Sequence, residues 1–413
     1  MRVAIFVSQF PVVSETFILR QITGLIDLGH EVDIYAESRP PAGAVTHAQV
    51  QAYRLLDRTT YLDLPQSAPA AQTIMWLAQA VMSAPVVTAR ALNPITGGGR
   101  RAIRRSTAYQ LSLVGSRACR YDVLHAHFGP VANNMLHLRD LWDAPLVVSF
   151  HGYDFSRWPQ IYGRHVYDRL FRATEIVTVN SEHTRQRVEQ LGCLPERIRK
   201  LPVSVEAREF PFEERHLAPG DIVRILTVAR LTEKKGVEYA VRAIARAREH
   251  YPSIRYDLVG DGPQRARIED LAHDLKVDDI VALHGARDNR YVREMLAHAH
   301  IFMLPSVTAS DGDEEGQGLV LQEAQAAGLP VLATMHNGFP ESIVPGKSGF
   351  LVPERDVSAL TERLLYLVGH PDRWPEMGRI GRAFVEDRFD ASSLNRQLVA
   401  YYLEAIEQRR SRS

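Results

Sequence analysis

The sequence predicts an α/β protein of two doubly wound domains in tandem, on three observations. The chain has 413 residues, more than one ordinary hydrophobic core supports. Short apolar runs alternate with helical patterns from the first residues onward, the mark of βαβ units. That alternation breaks between residues 205 and 220, at Pro211 and Pro219-Gly220, and then restarts. The expected division is 1–205, 206–390 and a closing segment 391–413.

Composition narrows the class. Apolar residues make up 45% and charged residues 24%, ordinary for a soluble globular chain. Lys+Arg and Asp+Glu number 49 each, so net charge argues for neither nucleic acid nor an acidic surface. Cys119 and Cys193 are the whole cysteine complement, too few for a disulfide framework and too isolated for zinc. The opening MRVAIFV lacks a signal peptide's apolar region and cleavage site and reads as a buried strand. No apolar run reaches the roughly 20 residues of a membrane span. A cytoplasmic protein is expected.

In the first half, Val3 to Val7 is a buried strand, Ser14 to Leu28 a helix and Val32 to Ala36 the next strand. Ligands of doubly wound sheets bind beyond the C-terminal strand ends. Ser8 to Thr16, SQFPVVSET, occupies that place, with Ser14 as N-cap of a helix beginning at Glu15. The Gly-rich dinucleotide fingerprint is absent, which argues against a nicotinamide enzyme. Residues 65 to 110 hold an apolar helix followed by Arg90, Arg100, Arg101, Arg104 and Arg105. Such a segment suits either an anionic bilayer or a solvated helical face.

Tyr121 to His125 is the following strand, and His125 with His127 at i, i+2 faces one side, a possible metal half-site. With no third ligand nearby, an acceptor-side polar edge is the preferred reading. Leu146 to Phe150 runs straight into His151-Gly152-Tyr153-Asp154, which puts His151 at a ligand edge. Glu175 to Val179 is a strand, Ser181 caps a helix, and Ile198 to Pro202 leads out of the domain.

In the second half, Arg224 to Ala229 is a strand followed by RLTEKKG. Arg230 and Lys235 share this strand-to-helix loop, and two cations before a helix N-terminus suit a diphosphate. Tyr256 to Val259 ends in Gly260-Asp261-Gly262-Pro263; Val331 to Ala333 leads into His336-Asn337-Gly338-Phe339-Pro340-Glu341. After Ile301 to Leu304 comes DGDEEGQGLVLQEAQAA, residues 311–327. Glu315 is expected on a loop at a helix N-terminus and Glu323 about two turns inside that helix. Glycines beside Glu315 let backbone approach a ligand closely.

Arg230 with Lys235-Gly236, GDGP at 260–263, Glu315 and Glu323, and NGFPE at 337–341 together resemble the retaining glycosyltransferases of family 4, which have the GT-B fold. His151-Gly152-Tyr153-Asp154 and PVVSETFILRQI extend the likeness over nearly the whole chain and, with the acidic DGDEEG, resemble the subgroup that builds colanic acid and similar exopolysaccharides. The resemblance implies two Rossmann-like domains facing across a cleft, with the last helix crossing back to the first domain. It implies transfer of a hexose from a UDP- or GDP-sugar, with retention, to a glycan or polyprenyl-diphosphate-linked acceptor. Arg230 and Lys235 would offset the leaving diphosphate, and Glu315 would contact the transferred sugar. Glu323 would hold the ribose, and His151 the sugar's polar edge. Gly260, Gly262, Gly316, Gly318 and Leu319 would line the donor, and Ser14, Glu15 and His127 the acceptor.

No cofactor or metal is expected, nor nucleic acid; peripheral contact with an anionic inner membrane stays open as one of the two readings of the basic segment. Three departures stand out: PVVSE in place of a Gly pair, Ser204-Val205-Glu206 in place of Gly-Val-Asp, and Gln317 in place of an aromatic or aliphatic residue. Asp311-Gly312-Asp313 also matches the Asp-x-Asp metal motif of the other glycosyltransferase fold. A nucleotide-sugar epimerase or hydrolase, or a non-catalytic sugar-binding subunit, are the alternatives on this fold. The helix expected from Ser392 to Ile406 ends in a solvated basic tail, RRSRS.

Overall fold

The structure, a computed structural model, describes residues 1–12, 15–41, 47–62, 78, 82 and 121–412. Ser14, Cys119 and the basic stretch around Arg90 to Arg105 lie outside them. The chain forms two compact units. One comprises Met1–Val179, Arg185–Leu201 and the chain from Asn395; the other comprises Asn180–Thr184 and Pro202–Leu394.

The first unit holds a seven-stranded sheet. Its strands are β1 (Arg2–Gln9), β2 (Glu31–Ser38), β3 (Thr59–Tyr61), β4 (Val123–His127), β5 (Leu146–Phe150), β6 (Ile176–Val179) and β7 (Ile198–Lys200). The order is β3-β2-β1-β4-β5-β6-β7, and each neighbouring pair is parallel. Val3 to Val7 are all buried, as expected of a strand covered on both faces. Order reverses between β1 and β4, where a doubly wound sheet offers its ligand crevice. Helix α1 (Thr16–Asp27) follows β1, with Glu15 at its N-cap. Phe6, Tyr35 and Trp142 form an aromatic centre, Phe6 stacking on Tyr35 at 5.1 Å. Helix α2 (Glu182–Gln190) starts on residues counted with the second unit, where Ser181 accepts a hydrogen bond from the Thr184 N–H, the cap foreseen for it.

The second unit holds a six-stranded parallel sheet. Its strands are β8 (Val223–Val228), β9 (Ile254–Val259), β10 (Val281–Leu283), β11 (Ile301–Leu304), β12 (Val331–Thr334) and β13 (Gly349–Val352). The order is β10-β9-β8-β11-β12-β13. Reversal falls between β8 and β11, so the loops after those two strands share one crevice. Helix α3 (Val237–Arg248) follows β8, and α4 (Leu319–Ala326) precedes β12. Trp374 is fully buried, its indole N–H donating to the Leu367 carbonyl at 2.9 Å.

Several expectations need correcting. Helix α1 starts at Thr16. β4 runs through His127, so both histidines lie within the strand. Ile198 to Lys200 is an edge strand, pairing with β6. Strands β3 and β13 come from short stretches that carried no strand reading. The last helix, α5 (Ala391–Arg412), extends through most of the expected tail. From Asn395 on it belongs to the first unit, where Tyr402 meets His125, Glu404 pairs with Arg199, and Arg409 pairs with Asp143 at 2.7 Å.

Candidate active site

The loop after β8 makes a tight turn, Glu233–Lys235, closed by Gly236 in the left-handed region at φ 62°. A Cβ on Gly236 would lie 1.8 Å from the Pro305 carbonyl oxygen. That glycine therefore lets the loops after β8 and β11 touch. Gly260 (φ 140°) would likewise strike the Ala229 carbonyl at 1.8 Å, and Gly262 that of Leu231 at 2.5 Å. Gly318, at φ 72°, sits against the Phe339 ring. These glycines therefore also give neighbouring loops room to meet.

The loop carrying Glu315 is held from several sides. Lys235 forms an ion pair with Glu315, both side chains largely enclosed. Burial alone would raise the Glu315 carboxyl, yet Lys235 and Lys234 hold it down at about 2. Burial lowers the Lys235 ammonium from its ordinary value; Lys234 and Arg230 act in the same direction and Glu315 opposes them. Arg230 is exposed. The site therefore carries an ionised glutamate and clustered cations on one strand-end rim.

Sequence reasoning missed what fixes Glu315. His336, fully buried, accepts the Glu315 backbone N–H at Nε2, 3.1 Å away. Its Nδ1 must then carry the proton and donate to Glu354 at 2.5 Å. The other oxygen of Glu354 accepts from the Thr308 N–H at 2.9 Å. Burial alone would raise Glu354, but the bonds from His336 and Thr308 outweigh it and hold the carboxyl below the usual range. Asn337, at φ 43°, donates to the Glu315 carbonyl at 2.8 Å. A His beside NGFPE was the visible signal, though its partner lies 18 residues on, past β13.

Helix α4 begins at Leu319, so Glu323 is little more than one turn inside it rather than two. Glu323 is half-buried, while Gly316 and Gly318 are buried. Glu341 accepts the Glu182 backbone N–H at 2.6 Å, and Glu314 pairs with His183 at 3.2 Å, all within the second unit.

In the first unit, His151 follows β5 with its ring 4.6 Å from Phe17 and 4.8 Å from Phe128. Its Nε2 lies 3.1 Å from His127 Nδ1. His127 is completely buried beneath it, not on an open acceptor edge, because β4 extends two residues further than expected. His125 bonds Tyr402 at 2.6 Å and Ser149 at 2.7 Å, which commits both its nitrogens. Burial lowers His125 and His151 to about 3, His125 adding to the effect on His151. Asp154 accepts the N–H groups of Gly129, His151 and Gly152. Burial still pushes its carboxyl up to about 6. Glu15 lines a shallow hollow with Phe10, Pro11 and His47.

Two Rossmann-like domains in one chain, each with its chemistry-bearing loops at the C-terminal strand ends, are the architecture of the GT-B class. Residues 210–383 match the family described as glycosyl transferases group 1, and residues 14–209 match glycosyltransferase family 4. WcaL of Salmonella typhimurium, named as a glycosyltransferase of colanic acid biosynthesis, is 34% identical, covering 97% of this chain and 99% of that protein. The amylovoran biosynthesis glycosyltransferase AmsK of Erwinia amylovora is also 34% identical, covering 96% and 98%. Among solved structures, HepE of Anabaena, in complex with UDP and glucose, superposes with a TM-score of 0.71 at 16% identity, covering 97% and 99% of the two chains. The chain belongs to the group 1, family 4 glycosyltransferases; it is a transferase.

Proposed function

We propose that this enzyme moves a hexose from a UDP- or GDP-sugar onto a glycan or lipid-linked acceptor during assembly of a bacterial exopolysaccharide, with retention at the anomeric carbon. Similarity to WcaL and AmsK over nearly their full lengths supports the polysaccharide setting. HepE, with UDP and glucose bound, supports a uridine donor on this fold. The observation that carries the reading is the Lys235–Glu315 pair beside exposed Arg230 on the rim between β8 and β11.

In the proposed step the bond from the anomeric carbon to the β-phosphate oxygen breaks as the acceptor hydroxyl oxygen bonds that carbon on the same face. The hydroxyl proton leaves with the diphosphate, so no enzyme nucleophile is required. Negative charge grows on the departing phosphate, and Arg230 and Lys235 offset it. Glu315, ionised, accepts hydroxyl protons of the sugar as hydrogen bonds, and Glu323 does so for the ribose. We place the reaction in the cytoplasm, at the inner membrane face and without a metal. Among the described residues no helix is long and apolar enough to cross a membrane.

Thermal-shift screening against UDP-, GDP- and ADP-sugars tests the donor class, since a ligand at a hundred times its Kd stabilises by about 2.7 kcal/mol. Glu315→Gln should keep nucleotide binding and suppress transfer; unchanged transfer would remove Glu315 from the mechanism. Loss of turnover with EDTA, restored by magnesium or manganese, would overturn the metal-free reading.

A further inference from the structure

The acidic run before Glu315 has no part in the chemistry proposed above, yet its contacts are ordered. Three consecutive residues of the loop after β8 engage the loop after β11 in sequence. Glu233 accepts the Ser310 N–H at 2.9 Å and the Ser310 hydroxyl at 2.6 Å. Lys234 donates to Asp313 at 3.1 Å and to the Glu314 carbonyl at 3.2 Å. Lys235 then takes Glu315. A backbone bond from the Val307 N–H to the Lys234 carbonyl, 2.8 Å, sets the register.

We propose that Lys234 is a positioning residue: with Glu233 it latches the run Asp311–Glu314 so that Glu315 is presented to the donor sugar. The two adjacent lysines are alike in sequence and differ in engagement. Lys234 is 9% exposed, and its ammonium is directed at the acidic loop by a carboxylate and a carbonyl. That loop concentrates negative charge that the cation offsets. It packs Asp311, Asp313, Glu314 and Glu315 into five positions, and like charges so close repel. Within the loop the Asp313 N–H bonds Asp311 at 3.0 Å and the Ala309 N–H bonds the Asp313 carbonyl at 3.0 Å, and at its far end Glu314 pairs with His183. Gly312 turns it at φ 75°. Lys234 is the cation that closes this turn against the rest of the rim, one residue from the backbone of Glu315. The match of Asp311-Gly312-Asp313 to a metal motif has a simpler content: Asp313 is the counter-ion of Lys234.

The link to donor binding rests on the function proposed above, whereas the latch itself does not. Four forms of the full chain decide both: Lys234→Met, Asp313→Asn, the double variant and Lys234→Arg. The first readout is amide hydrogen exchange over residues 309–316. Each single variant should speed exchange there about tenfold, the cost of one charge-assisted bond, and the double variant should be no faster than either. Lys234→Arg should restore slow exchange. Unchanged exchange, or effects that add in the double variant, would overturn the latch.

The second readout is calorimetric binding of UDP, UDP-glucose, GDP and GDP-mannose. The single variants should lose about tenfold in affinity for the sugar nucleotide that binds, and under twofold for its bare diphosphate. If Lys234→Met abolished UDP or GDP binding while Asp313→Asn did not, Lys234 would be a diphosphate ligand and the proposal wrong. Wild-type protein that binds none of the four would sink the donor reading alone, since exchange still reports the latch. Should Lys234→Met fail to fold, Asp313→Asn and Lys234→Arg carry both comparisons.

Discussion

The side-chain amide of Gln317 pairs with the backbone of Val203 as one strand residue pairs with another. Val203 N–H donates to Oε1 at 2.7 Å, and Nε2 donates back to the Val203 carbonyl at 3.1 Å. Both residues are buried, so no water replaces these bonds. Gln317→Leu should therefore destabilise the second unit by about 2 kcal/mol, because two backbone groups lose their partners. Urea unfolding of the two proteins measures it; equal midpoints would mean the linker finds other partners.

Arg230 and Lys235 should separate binding from stability. Arg230 is exposed, so Arg230→Ala should leave the unfolding midpoint within about 0.5 kcal/mol and weaken UDP or GDP binding about tenfold. Lys235→Met should weaken binding and stability together, since it leaves the enclosed Glu315 carboxylate without its nearest cation. Calorimetry and thermal unfolding on the same samples distinguish the two patterns.

His336→Leu removes the acceptor of the Glu315 N–H and the donor to Glu354 in one change. A loss of about 2 kcal/mol is expected. Glu354→Gln, which keeps an acceptor for one of its two donors, should lose about half as much. A larger loss in Glu354→Gln than in His336→Leu would show that Glu354 acts independently of the imidazole.

The first unit should weaken in acid through its buried histidines. His125 has a folded value of about 3 against 6.5 unfolded. Its contribution is complete above pH 6.5 and is lost as pH falls toward 3, because the unfolded chain binds the proton first. Between pH 6.5 and 5 that is about 2 kcal/mol. Asp154, raised to about 6, runs the other way, gaining stability as pH falls from 6 toward 4. The difference between wild type and His125→Gln across that range isolates the histidine. Parallel profiles would contradict a neutral, buried His125.

Both sheets were legible because their central strands are continuous apolar runs, as in Val3 to Val7 and Ile301 to Leu304. Edge strands β3, β7 and β13 escaped, since their short stretches, Thr-Thr-Tyr, Ile-Arg-Lys and Gly-Phe-Leu-Val, hold polar residues or a glycine in place of a continuous β-branched apolar run. Glu315, Lys235 and Arg230 were legible as chemistry at strand ends. Their supports were not, because Lys234 and Asp313 lie 79 residues apart in sequence and Gln317 and Val203 114 apart. Nothing local distinguishes Lys234 from Lys235; only the partner each one faces does. The extent of β4 decided the fate of His127, and a two-residue shift in its end carried that side chain from an open edge to the interior.

The rim of the second unit also constrains how such enzymes can be re-engineered. The loop after β8 touches the loop after β11 at Gly236, that loop reaches His336 after β12, and Glu354 after β13 closes the chain of contacts. A segment grafted from a relative with another donor would arrive without its complementary neighbours. Transplants of one loop should therefore yield poorly folded chimeras, and donor choice should travel only when all four loops move as a set.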